Sequence, residues 1–333
     1  MGKIIVLHDV SFGSNNLGRI TLISQEDPED PNNQGSQGEQ GSQGDQTPQY
    51  NLWDILYTDG NGNLSVSSEV LDTALGKTPI AICIAKTGFF GTNEKARWMA
   101  LKYLGRGVGP NNANVNPTNC AIYFGPDINI PEISDVTKAY VGATGTNQDW
   151  GVFEGGNTAN NPVLVPNVYD SNGDWNLSEL GTIGDYAVTD INGKAKTAIY
   201  QSYVTAENWQ TSGILDNTNT GNWPAVEAAW HYAPSGTQQG DWYIGACGEY
   251  ALMCNLRSTF VDKITLIHTS YPNDCYEAPL VDNTNNNGFE IWTATERDNG
   301  QQYRINTRKG QFGSKAKNLK TLGSKYCIPL LQY

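Results

Sequence analysis

The residues best suited to chemistry in this sequence are six cysteines and three histidines. They are Cys83, Cys120, Cys247, Cys254, Cys275 and Cys327, with His8, His231 and His268. No two cysteines form a CxxC pair, and no histidine lies at a metal-ligand spacing from them. A cysteine nucleophile also needs a neighbouring base, which the scattered histidines do not indicate. We therefore predict no catalytic residue, metal or cofactor. The thiols are expected to be mostly reduced and buried, with disulfides as the alternative.

Two Asp/Asn-rich segments resemble the start of a calcium loop. The first begins at Asp59, but Leu64 occupies the position that needs glycine and Val70 the position of the bidentate glutamate. The second begins at Asp170, and Gly181 occupies its glutamate position. Turns are therefore the better interpretation of both segments.

The composition is that of a loop-rich globular protein. The chain has 333 residues, enough for one large or two ordinary domains, and only 17% of them are charged. The net charge of -13 argues against nucleic acid as the main partner. Basic residues nevertheless concentrate between Arg297 and Lys325, where three Arg and five Lys stand against Asp298. This segment fits an anionic glycan, an acidic neighbouring subunit or an ordinary solvated surface.

The N-terminal segment predicts an attachment point. Met1–Asp9 lacks a signal-peptide pattern, and no run of about 18 apolar residues would span a membrane. Strands are predicted at Lys3–Leu7 and Gly18–Ile23. Because two strands alone are marginal in water, residues 1–24 are expected to anchor the chain to another protein.

A stalk is predicted over residues 25–49. Its acidic start is followed by four Gly-X-Y triplets, which begin at Gly35, Gly38, Gly41 and Gly44. Glycine at every third position is what three collagen-like chains require at their crowded axis. Four triplets without proline need trimeric domains on either side, and a flexible Gly/Gln linker is the alternative.

From residue 50 onward the pattern predicts an α+β head. Strands are expected at Leu52–Tyr57, Pro79–Ala85, Lys95–Leu104, Glu290–Thr295, Gln302–Thr307 and Tyr326–Leu331, and helices at Asp190–Ala206, Pro224–Tyr232 and Glu249–Phe260. For Lys95–Leu104, a short helix is the alternative. Lys86, Lys95, Arg97 and Lys102 are expected at solvent-facing edges. Residues 105–184, rich in Gly, Asn and Pro, read as a loop-rich insertion. The head thus divides into residues 50–184 and 185–333.

Four spaced motifs lie in the second part of the head. Their residues are Asp190, Asn192, Gly193, Lys194 and Thr197; Pro224, Ala225 and Glu227; Gly236, Thr237, Gly240, Asp241, Trp242, Tyr243, Gly248 and Glu249; and Trp292, Thr293, Thr295 and Glu296. Together they resemble the C-type-lectin-like fold, in the branch of hypervariable, retroelement-diversified proteins of gut Bacteroidales and their phages. Ile244–Gly245 and Ile328–Pro329–Leu330 depart from the family pattern, and the EPN, QPD and WND sugar-binding triplets are absent.

The resemblance implies a recognition face formed by the last strands and their connections. The positions that fall there are Asn286, Phe289, Arg297, Asp298, Asn299, Gln302, Arg304, Asn306 and Arg308. Arg, Asn and aromatic side chains on a rigid scaffold suit a general binding surface. Trp242, Trp292 and Glu296 are expected to belong to the scaffold.

The function expected from these features is that of a phage virion structural protein, a head fibre or tail-associated fibre. Residues 1–24 would contact a capsid or tail protein, the chain would be a homotrimer assembled in the host cytoplasm, and the head would attach to a host-surface glycan or protein. A bacterial surface adhesin is the alternative, which needs an export signal. A formylglycine-generating oxidase is the third, which needs a reactive cysteine pair.

Overall fold

The computed structural model describes residues 48–91, 93–104, 113–115, 122–126, 130–133, 150–151, 190–204, 223–277, 290–298, 301–306, 311–316 and 325–333. The chain divides into two compact units, Met1–Gln46 and Thr47–Tyr333. All the described residues belong to the second unit. The predicted anchor strands, the stalk glycines and most of the predicted insertion 105–184 lie outside the described residues.

The second unit is an α+β structure with two main sheets. The strands are β1 (Ile55–Thr58), β2 (Leu64–Ser67), β3 (Thr78–Ala85), β4 (Arg97–Ala100), β5 (Tyr103–Leu104), β6 (Ala113–Asn114), β7 (Trp150–Gly151), β8 (Trp242–Tyr243), β9 (Glu290–Asp298), β10 (Gln301–Asn306), β11 (Gln311–Ala316), β12 (Lys325–Tyr326) and β13 (Leu330–Gln332). The helices are α1 (Gly193–Ser202), α2 (Pro224–His231), α3 (Cys247–Asn255) and α4 (Arg257–Ser270).

The first sheet has the order β2-β1-β3-β4-β13-β8, and all its pairings are antiparallel. Its centre is β3, where seven consecutive residues from Pro79 are buried, as the continuous apolar run predicts. Strand β13 lies between β4 and β8, so the end of the sequence completes a sheet begun near residue 55. Residues from both predicted parts of the head therefore share one sheet.

The second sheet has the order β12-β9-β10-β11-β7. Its pairings are antiparallel except for β12 with β9, which run parallel. In β9, residues 291–296 are all buried, and in β10 residues 302–305 are all buried. Burial of consecutive residues shows that both faces of these two strands are covered.

Helices α1 and α2 differ in how well their sequences predict them. Helix α2 begins at Pro224, which is favoured in a first turn, and ends one residue earlier than predicted. Helix α1 is shorter than predicted, and its buried residues are Gly193, Lys196, Thr197 and Tyr200. Lys196 and Thr197 can be buried because their side chains have buried hydrogen-bond partners, which hydropathy does not reveal.

The predicted helix Glu249–Phe260 is wrong in both bounds. The chain forms two helices, α3 and α4, separated at Leu256, whose φ of -103° and ψ of 40° are not helical. Helix α4 continues to Ser270 and buries Phe260, Ile264 and Ile267. Its β-branched residues after Ile264 favour a strand locally, but the 3–4 spacing of these buried side chains decides for the helix.

Two other predicted elements differ in detail. The predicted strand Lys95–Leu104 is divided into β4 and β5, and the predicted strand Tyr326–Leu331 into β12 and β13. The Asp59 segment is an exposed turn between β1 and β2, in which Asp59 accepts hydrogen bonds from the backbone of Asn61 and Asn63.

An aromatic cluster fills the space between the helices and the second sheet. The ring of Phe124 lies 5.0 Å from that of Tyr200, 6.0 Å from that of Trp223 and 5.9 Å from that of Trp292. The Trp292 indole donates to the carbonyl oxygen of Ile122 at 2.8 Å. Edge-to-face contacts of this kind add to the free energy gained by burying the rings.

The first and last described residues of this unit meet at one place. The ring of Tyr50 stacks on that of Tyr333 with centroids 5.6 Å apart, and both contact Trp98. Thr87 fixes the incoming chain, since its hydroxyl accepts from the Tyr50 N–H and donates to the Pro48 carbonyl. The second sheet joins β13 at its other end, through Lys325–Tyr326, which pairs with Glu290–Ile291 of β9.

Candidate functional site

The centre of the head is the buried carboxylate of Glu249 in α3. Its Oε1 accepts from Arg97 Nε at 2.7 Å and from the Tyr243 hydroxyl at 2.8 Å. Its Oε2 accepts from the backbone N–H of Ala246 at 2.8 Å and of Gly193 at 3.2 Å. Burial raises the pKa of the Glu249 carboxyl, and Arg97 with the other donors opposes that shift. Four donors from four parts of the chain thus converge on one carboxylate.

Arg97 is the partner that Glu249 requires. It is 1% exposed, although its sequence position predicts a solvent-facing edge. Besides Glu249, it donates to Glu94 Oε2 at 2.9 Å and to the Lys95 carbonyl at 2.6 Å, and it lies 5.1 Å from the Phe90 ring centre. The side chain turns inward because the fully buried Glu249 carboxylate binds its guanidinium.

A second buried cluster surrounds Asp190, which precedes α1. Its Oδ2 accepts from Lys196 Nζ and from the Thr295 hydroxyl, the latter at 2.7 Å. Its Oδ1 accepts from the Asn192 N–H at 3.1 Å, which orients the start of α1. Lys196 is largely buried, whereas the motif residue Lys194 is exposed. Asp190 therefore pairs with Lys196 and not with Lys194, the lysine of the first motif.

The two clusters cap helices α1 and α3 reciprocally. Glu249, from α3, accepts from Gly193, the first residue of α1. The Asp190 carbonyl, from the segment before α1, accepts from the Gly248 N–H of α3 at 2.8 Å. Within α3, Glu249 also reaches back to Ala246, in the manner of a capping box. At the start of each helix, a backbone N–H thus donates to an acceptor from the segment at the start of the other helix.

These clusters continue into the second sheet through threonine and glutamine side chains. The Thr295 hydroxyl accepts from the Cys247 N–H at 2.9 Å, and the Ala294 N–H donates to the Gly245 carbonyl at 2.8 Å. Gln302 donates to the Thr293 carbonyl at 2.8 Å. Strands β9 and β10 are therefore tied directly to α3 and to each other.

Gln302 and Arg304 require a correction, because the sequence analysis assigns them to an exposed binding face. They are 0% and 6% exposed. Gln302 is bonded to Thr293 and accepts from the Tyr200 hydroxyl at 3.4 Å, and Arg304 is paired with Glu290. The alternation of a strand predicts one solvent face, but both faces of β10 are covered. The two residues belong to the scaffold.

The other candidate positions fall into two groups. Arg297 and Asp298 end β9, and Asn306 ends β10, in the part of each strand next to a connection. Asn286, Phe289, Asn299 and Arg308 lie outside the described residues. Of these nine side chains, the structure describes only those of Gln302 and Arg304, which are buried. Trp242, Trp292 and Glu296 are buried, in agreement with their predicted scaffold role.

The described thiols are packed and unpaired with one another. Cys83, Cys247, Cys275 and Cys327 are free and buried. Burial raises the pKa of the Cys247 thiol to about 12, and it also raises the pKa values of the other three. Cys247 Sγ lies 3.4 Å from the Thr293 hydroxyl. Since the thiolate is the nucleophilic form, none of these four environments favours cysteine chemistry at neutral pH.

Within the described ranges there is no group of three or more His, Cys, Asp or Glu side chains that could hold a metal ion. The helices given above include none that is long and apolar enough to cross a membrane.

Sequence reasoning missed Arg97 and Lys196 as members of the buried network. Arg97 had a recognisable signal, because it stands next to a tryptophan inside an apolar strand, where an unpaired charge would be costly. Lys196 lies one turn before the buried Tyr200, so helical spacing places it on the inner face.

Comparison of the chain with protein-family models, with curated proteins and with solved structures finds no match.

We predict that Glu249→Gln lowers the free energy of unfolding by about 3 kcal/mol, because Arg97 would keep its charge inside the fold without its buried counterion. Denaturant unfolding followed by tryptophan fluorescence measures this loss. Glu94→Gln is the matched control, since Glu94 binds the same guanidinium but its side chain is 47% exposed. Its expected cost is below about 1 kcal/mol. Equal losses for the two variants would contradict the central role of Glu249.

We also predict that Cys83, Cys247, Cys275 and Cys327 resist alkylation by iodoacetamide in the folded protein at neutral pH. Their burial and raised pKa values remove both access and thiolate. Peptide mapping after labelling gives the result residue by residue, and labelling in denaturant serves as the control that all sites can react. Rapid modification of Cys247 in the folded protein would contradict the prediction and favour cysteine-based catalysis.

Proposed function

We propose that this chain is a phage virion structural protein, a head fibre or tail-associated fibre, whose C-type-lectin-like head attaches to a host-surface glycan or protein. The single observation that supports it most is the arrangement around β13. Tyr50, where the chain enters the head, stacks on Tyr333 at one end of that strand. The second sheet is attached at the other end. The preceding chain thus joins the head at one end of β13, and the second sheet joins at the other end. This arrangement suits a head that is displayed from a larger assembly.

The hydrogen-bond network supports the lectin-like assignment of the head. Residues from three of the four motifs, among them Asp190, Glu249 and Thr295, meet in the same buried clusters. A shared network explains why these residue types occur together at those spacings. The α+β architecture of the head does not depend on this likeness.

The second sheet offers a defined place for binding. Asn306 and Gln311 face each other in the β10–β11 ladder and flank residues 307–310 in the sequence. The adjacent pair Asn306–Glu290 belongs to the same end of the sheet, where Lys325 also pairs with Glu290. Beneath it, the buried Arg304–Glu290 ion pair fixes that end. Arg308 and Lys309 fall in this connection and provide the positive charge for an acidic ligand group.

Attachment to the particle is assigned to residues 1–24, and oligomerisation to the Gly-X-Y stalk. Three collagen-like chains would bring three heads together, and simultaneous binding by three weak sites raises the overall affinity. The compact unit that begins at Thr47 is consistent with a head that is separable from these segments.

We predict that Arg308→Ala weakens binding of the fluorescent full-length protein to susceptible host cells by about tenfold, because arginine side chains often dominate binding energies. Flow cytometry over a concentration series measures the change. Lys95→Ala is the matched control: it removes the same charge from an exposed residue near Tyr333, and it is expected to bind as wild type. The reverse pattern would place the binding surface at the Tyr50–Tyr333 end.

We predict that deletion of residues 1–49 leaves a folded monomeric head that no longer joins particles, whereas the full chain is a trimer found in purified virions. Circular dichroism, light scattering and mass spectrometry of virions measure folding, mass and incorporation. A stable monomer of the full chain would contradict the trimer. Recovery of the full chain by protease shaving of the bacterial surface, with none in virions, would contradict the virion assignment and support the adhesin.

A further inference from the structure

The dipeptide Asn-Gly occurs twice among the described residues, at Asn61–Gly62 and at Asn192–Gly193. Both asparagines are exposed, so their side chains differ little in access to water. The two glycines, however, have opposite environments. Glycine after asparagine leaves the backbone nitrogen sterically open to the asparagine side chain, and the environment of that nitrogen then decides whether the two groups can react.

The Asn61–Gly62 pair has open space around the Gly62 α-carbon. It belongs to the exposed turn between β1 and β2, Gly62 has a φ of +96°, and a Cβ at Gly62 would meet no heavy atom within 4 Å. The Asn61 N–H donates to Asp59 Oδ1 at 2.8 Å. Among the described residues, neither the Gly62 N–H nor the Asn61 side-chain amide makes a hydrogen bond. Both reacting groups are therefore free.

In the Asn192–Gly193 pair, a hydrogen bond holds the backbone nitrogen of Gly193 in place. The Gly193 N–H donates to the buried Glu249 Oε2 at 3.2 Å and begins helix α1. A Cβ at Gly193 would lie 2.3 Å from Glu249 Oε2 and 2.5 Å from the Ala246 nitrogen. Movement of the Gly193 nitrogen toward the Asn192 side chain would break the hydrogen bond to Glu249 and disturb the start of the helix.

We propose that Asn61 is a site of spontaneous deamidation in the folded protein and that the Glu249 hydrogen bond protects Asn192. The Gly62 nitrogen, after loss of its proton to water, attacks Cγ of Asn61. A nitrogen–Cγ bond forms, the Cγ–Nδ2 bond breaks, and ammonia leaves with a proton taken from water. Water then opens the resulting succinimide at either carbonyl, which gives aspartate or isoaspartate. Water is the only co-reactant, and nothing is oxidised or reduced.

The modification changes a surface that two loops share. It adds a negative charge next to Asp59, whose oxygens already bind Asn61 and Asn63. Isoaspartate also lengthens the backbone of the turn by a methylene group. The turn contacts the loop before β8, because a Cβ at Gly236 would lie 3.1 Å from the Gly62 carbonyl oxygen and 2.6 Å from the Leu64 side chain. The altered turn therefore presents a different charge and shape beside that loop.

The test is incubation of the full-length protein in mildly alkaline buffer, followed by digestion and mass spectrometry with fragmentation that separates aspartate from isoaspartate. In the folded protein, the Asn61 peptide should convert at least about tenfold faster than the Asn192 peptide, since exposure of a buried helix start requires a minor, locally opened state. In denaturant, the two peptides should convert at similar rates. Asn61→Gln should abolish conversion at this peptide, because the longer side chain does not form the five-membered ring readily.

Two results would overturn the proposal. One is an Asn61 peptide that stays unmodified in the folded protein while it converts in denaturant, which would show that the turn holds the pair apart. The other is conversion of Asn192 in the folded protein at the rate of Asn61, which would show that the Glu249 hydrogen bond gives no protection.

Discussion

The buried carboxylate of Glu249 is the constraint on which the rest of the head depends. A charge removed from water is tolerated only when donors surround it. Arg97, Tyr243 and the backbone of Ala246 and Gly193 supply those donors. They come from β4, β8, the turn before α3 and the first residue of α1. Loss of any one donor would leave the charge incompletely compensated, so these four elements are held in a single arrangement.

Reciprocal capping of α1 and α3 extends that constraint to the second sheet. One carboxylate oxygen of Asp190 accepts a hydrogen bond from the Thr295 hydroxyl of β9, and the Asp190 carbonyl accepts one from the Gly248 N–H of α3. Gly193 is required at the start of α1 because a side chain there would meet the Glu249 carboxylate. The position of β9 relative to the first sheet thus follows from the two buried acids and from a residue without a side chain. Few apolar contacts could specify this geometry as sharply, since they lack direction.

The sequence predicts the elements whose patterns depend on local signals and fails where distant partners decide. The buried run of β3 and the start of α2 at Pro224 follow from local composition and the preference for proline in a first turn. The break at Leu256 has no such signal. Hydropathy does not reveal the inner face of α1, because Lys196 is buried through its ion pair with Asp190. The motif analysis identified Glu249 and Asp190, but it did not reveal Arg97, which lies 152 positions away from Glu249 in the sequence.

Burial of Gln302 and Arg304 shows that some positions proposed for the binding face belong to the buried scaffold. Between residues 290 and 306, the strand interiors are fully enclosed, and substitution there acts on packing, hydrogen bonds or the Arg304–Glu290 pair. Such changes lower the stability of the head and do not directly alter an exposed surface. Under the proposed function, variation for different ligands belongs to the connections that follow the strands and not to the enclosed strand interiors. The network around Glu249 and Asp190 would then stay unchanged while those connections vary.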